Sequence, residues 1–395
     1  MSLKLFMKRF LKVIWLSSCL TLLASQCSTS PMPPFPVAPP PEASVQIALL
    51  TPNSGEEITI GRTLRNGIFM AFDKRNLANG LLGKQIDEQI YDTGCDFDQA
   101  QAATQQAIDD GIQLMIGPVC SIAAVAAAEV AQANNALLIS PTATHPLVTI
   151  DRQGVTRPMI FRMSYDNLQQ GRAMAEFAYQ HLAGKRAALF VSPTDDRASQ
   201  LIEGFTQHFT AQGGDVVYQA QATPNASDFA TTLANLVSAK PDIIYLPASP
   251  DLSNQIVSQL NEVGALDVAS LLGSDVWAYG NLDPAVMQGS YYPTHFTGLD
   301  NDPTIQQWVE AYQSTYASQP DTLSTLGYDT ALVLLEAIDR AGTFDPDQIS
   351  HTLENDEFTT VTGPVSFDSH HNPHQPIPII QIGLDGPQFV TKVLP

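Results

Sequence analysis

Cysteine is scarce in this 395-residue chain: there are four, and two of them, Cys19 and Cys27, sit in a basic and then apolar N-terminal segment. Only Cys95 and Cys120 are left for a folded part, which excludes a disulfide-dense small scaffold and a cysteine-rich metal domain. Basic charge is scarce too, with 19 Lys and Arg against 40 Asp and Glu. The first 26 residues hold Lys4, Lys8, Arg9 and Lys12 and no acid, so the remainder carries 15 basic against 40 acidic residues, a net of −25. That balance argues against a nucleic-acid partner, and its ordinary meaning is solubility. Catalytic signatures are missing as well. There is no Gly-x-Ser-x-Gly elbow, no Gly-x-x-x-x-Gly-Lys-Ser/Thr phosphate loop, no Gly-x-Gly-x-x-Gly after the first strand and no thiol outside the cysteine pair. An enzyme on a doubly wound fold is unsupported, and no cofactor is implied.

The N-terminus does carry a pattern. Basic residues up to Lys12 precede the apolar run Val13 to Ala24, whose twelve residues are too short for a bilayer core of ~30 Å. Residues 1–26 are therefore expected to be an export signal. Leu16-Ser17-Ser18-Cys19 has the better small-residue pattern for a lipoprotein cleavage point, but only Cys27 has the full apolar run behind it. Cys27 is the expected lipid-anchor cysteine, with simple secretion by cleavage near Ala24 to Cys27 as the alternative. Residues 27–44 then form a tether. Pro31, Pro33, Pro34, Pro36, Pro39, Pro40 and Pro41 stiffen it, and a polyproline rise of ~3.1 Å per residue gives it a reach of ~50 Å. The protein is expected to be exported, periplasmic or cell-surface, and held to the membrane by that anchor. In such a compartment Cys95 and Cys120 read as a disulfide, worth roughly 3 kcal/mol on the chain-entropy account.

From Val45 onward, short apolar runs alternate with amphipathic helical stretches, as parallel sheets of βαβ units require. Strands are expected at Val45 to Leu50, Ile86 to Tyr91, Leu114 to Ile116 and Ala136 to Ile139, with helices over Gly61 to Asn76, Asp98 to Asp110 and Ser121 to Gln132. The rhythm restarts with helix Gln169 to Leu182 and continues through strands Ala187 to Val191, Val216 to Tyr218, Ile243 to Leu246 and Ser270 to Gly273. Helices Thr304 to Tyr316, Leu326 to Ala341 and Pro346 to Leu353 and two further strands complete it. The fold class is α/β, with two similar doubly wound lobes.

Ligands in open α/β sheets bind beyond the C-terminal ends of strands. In the first half those ends hold hydroxyls: Cys120-Ser121 follows one strand, and Ser140-Pro141-Thr142-Ala143-Thr144 follows the next. Backbone N–H groups and hydroxyls converging there suit a carboxylate. Ser121 alone could equally cap its helix; Ser121 and Thr144 together, on successive strand ends, favour a ligand. The second half adds charge through Asp195, Asp196, Arg197 and Asp275.

These residues resemble the extracellular solute-binding proteins of the leucine/isoleucine/valine type, which feed ABC importers. The resemblance runs from about Val45 to the C-terminus. It is carried by Asn66-Gly67 with Ala71-Phe72-Asp73, Cys95-Asp96-Phe97-Asp98, Ile116-Gly117-Pro118-Val119-Cys120-Ser121, Ile139 to Pro146 and Ile160-Phe161-Arg162. Pro241 to Tyr245, Leu272-Gly273-Ser274-Asp275, Gly327-Tyr328-Asp329 and Gly363 to Asp368 continue it in the same order. It implies the type I periplasmic binding protein architecture, two doubly wound parallel-sheet lobes joined by a three-crossing hinge. An N-terminal lobe of 45–165 plus 296–377 and a C-terminal lobe of 166–295 plus 378–395 would close on a ligand, with crossings near Met163 to Tyr165, His295 and Pro376 to Pro378.

The resemblance further implies that Ser121 and Thr144 hold a ligand carboxylate, that Thr142 and Ala143 lend backbone groups, and that Asp275 pairs with the ligand ammonium. Aromatic residues usual at the cleft mouth are replaced by Ile60, Arg197 and Ser249 on approximate loop alignment. Arg197 facing the pocket would favour a ligand with an extra anionic group, or would pair with Asp195, Asp196 or Asp275. Tyr165, Trp277 and Tyr279 are candidates for stacking surface, Trp277 equally for core. The implied partners are a small amino-acid or amide-like ligand and an ABC permease, for a monomeric protein. A sensor or an activator of an envelope partner on the same fold is the alternative. His370, His371 and His374 read as a solvated turn, so no metal site is expected, and Asn225-Ala226-Ser227 carries no meaning for a bacterial exported protein.

Overall fold

Strand β1 (Val45–Thr51) is apolar on both faces, and the computed structural model, which describes residues 44–192, 195–221 and 229–394, shows why. Ile47 and Leu49 point into one core and Ala48 and Leu50 into another, so the strand lies at the centre of a sheet covered on both sides. The expected export signal, Cys27 and Cys19, the proline tether and Asn225-Ala226-Ser227 lie outside the described residues.

The first sheet grows by right-handed βαβ logic. Helix α1 (Ile58–Leu77) leads to β2 (Ile86–Asp92), α2 (Phe97–Asp109) to β3 (Leu114–Ile116), and α3 (Ser121–Ala133) to β4 (Leu137–Ser140), after which comes β5 (Ile160–Arg162). The order is β2-β1-β3-β4-β5, all parallel, with β1 and β2 in register from Val45 opposite Ile86 to Thr51 opposite Asp92.

The chain then leaves this sheet through residues 163–166 and enters α4 (Asn167–Glu176), which ends in one wider turn at Phe177–His181. Strand β6 (Arg186–Val191), α5 (Asp196–Ala211), β7 (Asp215–Gln221), α6 (Ala230–Ala239), β8 (Ile243–Tyr245), α7 (Pro250–Glu262), β9 (Ser270–Leu272), α8 (Pro284–Met287) and β10 (Tyr291–Pro293) build a second sheet. Its parallel part, β7-β6-β8-β9-β10, repeats the order of the first. The chain returns through residues 294–302 to α9 (Pro303–Tyr316), α10 (Thr322–Ala341) and α11 (Pro346–Asn355), which pack on the first sheet beside a small antiparallel sheet of β11 (Phe358–Thr359), β12 (Pro364–Phe367) and β13 (Pro373–His374). A third passage at residues 375–376 leads to the hairpin β14 (Ile377–Gly383) and β15 (Gly386–Val393), which adds antiparallel strands to the second sheet beside β10.

Helix starts follow the sequence closely. Asp283-Pro284, Asp302-Pro303 and Asp345-Pro346 each place a capping carboxylate before a proline that needs no N–H bond. Asp166 with Gln169 and Asp321 with Ser324 form capping boxes on α4 and α10. In each lobe a glycine pair brings two helices together. A Cβ on Gly67 of α1 would strike the Ser324 carbonyl of α10, and one on Gly327 the Leu64 carbonyl. Gly171 of α4 and Gly204 of α5 stand in the same relation to the carbonyls of Leu201 and Leu168.

Candidate functional site

The C-terminal ends of β3 and β4 are zipped together by their own hydroxyls. Ser140 Oγ donates to the Pro118 carbonyl at 3.0 Å, Thr142 Oγ1 donates to the Val119 carbonyl at 2.7 Å, and the Thr144 N–H donates to Ser121 Oγ at 3.3 Å. Gly117, at φ 122°, makes the approach possible, since a side chain there would collide with the Leu50 carbonyl of β1. The Cys95–Cys120 disulfide, with Cα atoms 5.4 Å apart, ties the end of β2 to the start of α3. Ser121 is the first residue of α3, and its hydroxyl meets Thr144 rather than capping the helix; Cys120 is the cap position, and its side chain, committed to the disulfide, makes no capping hydrogen bond. Thr142 serves as a strut. What faces outward is the Ser121 and Thr144 pair at the end of a 13-residue helix, the local chemistry that favours an anion.

This loop has a buried foundation that sequence reasoning did not isolate. The Arg162 guanidinium, at the end of β5, donates to the carbonyls of Ala143 at 3.3 Å, His145 at 2.9 Å and Pro146 at 3.3 Å and to Thr149 Oγ1 at 2.9 Å. Burial lowers its pKa to about 10, with Asp166 and Asp368 opposing. Ser164 Oγ adds a second bond to the Ala143 carbonyl at 2.9 Å. The signal was an arginine closing an apolar strand.

The second half of the site lies at the ends of β6, β8 and β9. Asp275 follows β9, its backbone N–H donating to Gln170 Oε1 at 3.1 Å. Its side chain is 14 % exposed, with Oδ1 3.9 Å from Arg197 Nη1 and Oδ2 3.8 Å from His295 Nε2. Arg197, in the first turn of α5, donates to Ser274 Oγ at 3.2 Å and to the Pro247 carbonyl at 3.3 Å, and stands 3.6 Å from Asp195 Oδ2. The structure thus brings Arg197 and Asp275 together. The Tyr165 ring stacks on His295 with centroids 3.6 Å apart. Burial lowers the His295 pKa to about 4 against the opposing pull of Asp275, so the imidazole is neutral. Burial and then Asp275 raise the Tyr165 pKa. Tyr165, Gln170, Tyr245 and His295 each carry a buried polar atom with no partner among the described residues.

The two halves are neighbours. His145, next to Thr144, interacts electrostatically with Asp196, next to Arg197, although burial and then Arg162 dominate and lower its pKa. Trp277 is core: its Nε1 donates to the Ala248 carbonyl at 3.2 Å and to Ser253 Oγ at 3.0 Å. Tyr279 is exposed, Ser249 is exposed, and Ile60 packs against the first-lobe core. His370 and His374 are exposed, but His371 is not solvated: its ring lies flat on Phe161 at 4.0 Å, and its nitrogens meet the Ile160 carbonyl and Glu354. An imidazole offers an apolar face and two polar edges, and here all three are matched. Among the described residues no group of three or more His, Cys, Asp or Glu is placed to hold a metal ion, and no helix is long and apolar enough to cross a membrane.

Two lobes of repeated topology linked by three chain passages define the architecture of a hinged binding protein. Residues 44–387 match the family described as periplasmic binding protein, and the chain belongs to that family, one of binding proteins rather than enzymes. The chain is 26% identical over 339 residues to a Leu/Ile/Val-binding protein of Rhizobium johnstonii, covering 84% of this chain and 89% of that one. It is likewise 26% identical over 334 residues to a leucine-, isoleucine-, valine-, threonine- and alanine-binding protein of Pseudomonas aeruginosa, covering 82% and 86%. Among solved structures, the leucine binding protein LivK of Thermotoga maritima is similar with a TM-score of 0.68 and 27% identity, over 89% of this chain and 99% of that one. The fold is therefore the type I periplasmic binding protein architecture, the role is solute binding, and family membership implies an exported, periplasmic protein.

Proposed function

We propose that this protein captures an amino acid or close relative in its interlobe cleft and presents it to the permease of an ABC importer. What supports this reading is that the strand ends of the two sheets carry opposite chemistries and come near each other, His145 beside Thr144 sensing the charge of Asp196 beside Arg197. Ser121 and Thr144, with the N-terminus of α3 and the backbone of Thr142, suit a carboxylate, while Ala143, its N–H on Ser140 Oγ and its carbonyl on Arg162 and Ser164, anchors the loop behind them. Asp275, whose oxygens are each more than 3.5 Å from Arg197 and His295, suits an ammonium group. A buried zwitterion needs both, because an unpaired charge in a dry cleft costs several kcal/mol. On this reading residues 45–165 with 296–377 move as one lobe and 166–295 with 378–395 as the other, and ligand contacts made only in the closed state favour closure. Residues 1–26 direct export, Cys27 carries the lipid, the tether to residue 44 holds a monomeric domain off the membrane, and Cys95–Cys120 stiffens the carboxylate wall.

Thermal melts of the full exported chain against α-amino acids, amides and simple carboxylates test the proposal. At a hundredfold excess over its dissociation constant a cognate zwitterion stabilises the fold by about 2.7 kcal/mol. A panel in which no zwitterion shifts the melt would sink the idea.

A further inference from the structure

Arg197 stands beside Asp275 without a charge-assisted hydrogen bond to it. Its two hydrogen bonds among the described residues go to neutral acceptors, Ser274 Oγ and the Pro247 carbonyl. The acids near it stand at 3.6 Å for Asp195 and 3.9 Å for Asp275, too far for charge-assisted hydrogen bonds. Asp195 Oδ1 accepts the Ala198 N–H as the cap of α5, which fixes the carboxylate and leaves Oδ2 as the oxygen toward the guanidinium. Asp275 is the group that meets the ligand ammonium in the reading above. Once it does so, the guanidinium, with five N–H donors in a planar fork, keeps Asp195 at 3.6 Å as a counter-charge but still has N–H donors with no charged acceptor in hydrogen-bond range.

The wall around it is polar and short of acceptors. The buried hydroxyls of Tyr165 and Tyr245 and the Gln170 amide nitrogen find no partner among the described residues. Gln170 bonds the Asp275 N–H, Tyr165 stacks on His295, whose Nε2 is 3.8 Å from Asp275, and Tyr245 lies in the combined electrostatic field of Asp275 and Arg197. Unpaired buried donors are rare in native proteins and ask for an explanation.

We infer that the second-lobe wall selects an α-amino acid whose side chain ends in a carboxylate or carboxamide oxygen, received by the Arg197 fork, and discriminates against branched aliphatic side chains. The inference rests on the amino-acid reading of the cleft. An aliphatic side chain closing over Arg197 would desolvate the guanidinium with nothing to accept its donors, the arrangement by which polar sites reject apolar analogues. A carboxylate matches the fork with two coplanar oxygens and a carboxamide with one.

Isothermal titration calorimetry of the full exported chain with glutamate, aspartate, glutamine, asparagine, leucine, isoleucine and valine decides the matter. The expected result is that a member of the first four binds about 10- to 100-fold more tightly than any aliphatic one, and that Arg197→Met removes that advantage. Arg197→Lys, which keeps the charge without the fork, weakens a carboxylate ligand less than Arg197→Met does; it also supplies the comparison if Arg197→Met melts early. Glutamate against glutamine, and aspartate against asparagine, separate the two end groups. Preferred binding of leucine, isoleucine or valine, with the ranking unchanged in both Arg197 variants, overturns this inference and leaves the amino-acid reading standing. Absence of binding by every zwitterion overturns both.

Discussion

His295 sits on the second passage between the sheets, its ring against Tyr165 and its Nε2 toward Asp275. Burial lowers its pKa from 6.5 to about 4, Asp275 opposing, so the folded protein binds fewer protons there than the unfolded chain between those values. Its contribution to stability is therefore fully present above pH 6.5 and is lost as the pH falls toward 4, by an amount on the order of 3 kcal/mol. Burial raises the Asp329 pKa to about 6, which works in the opposite sense over the same window, so the readout is the difference between wild type and His295→Phe, which keeps the stack without the titration: by chemical denaturation between pH 7 and 4 the wild type should lose that amount relative to the variant, and a difference that does not change with pH would show that His295 is not the titrating group. At this scale the sequence was only partly legible. Ser121, Thr144, Arg197 and Asp275 could be singled out because strand-end positions are readable from periodicity. Tyr165, Gln170 and Tyr245 could not be gathered into one cluster, because an aromatic at a strand end and a glutamine in a helix look like ordinary packing until the fold places them around Asp275.

Among the elements, the helix pairs α1 with α10 and α4 with α5 are set by glycines that let backbone touch backbone. Gly67→Ala and Gly171→Ala force a methyl group against the carbonyls of Ser324 and Leu201, and each should cost about 1 to 3 kcal/mol by overpacking. Urea titrations of both variants, with Gly298→Ala as a control where an added Cβ meets only Val309 Cγ2 at 3.4 Å, check this; a loss no larger than the control's would contradict the close packing. Most elements were legible, since a strand covered on both faces reads as a continuous apolar run between helices. Strands β5 and β10 were not expected as strands, because three residues are too few to show a period, nor was β15, whose exposed edge carries a mixed pattern. Helix α4 starts two residues before its expected beginning because the Asp166 capping box, not the apolar stripe, sets its start.

Taken as a whole, the molecule is one topology used twice, with the antiparallel hairpin β14 and β15 and the helices α9 to α11 distinguishing the copies. Repetition explains why the two-lobed architecture could be read from rhythm alone, whereas the chemistry of the cleft arises only when strand ends from both copies face each other. That cleft is the centre of the account: a carboxylate held on the first wall and an ammonium on the second. The most direct test is calorimetry of the wild type and Asp275→Ala with the best-binding amino acid and with the same compound lacking its amino group. The account predicts that Asp275→Ala weakens the amino acid by about 100-fold or more while the deaminated carboxylate binds both proteins alike. Undiminished affinity of Asp275→Ala for the amino acid would contradict it.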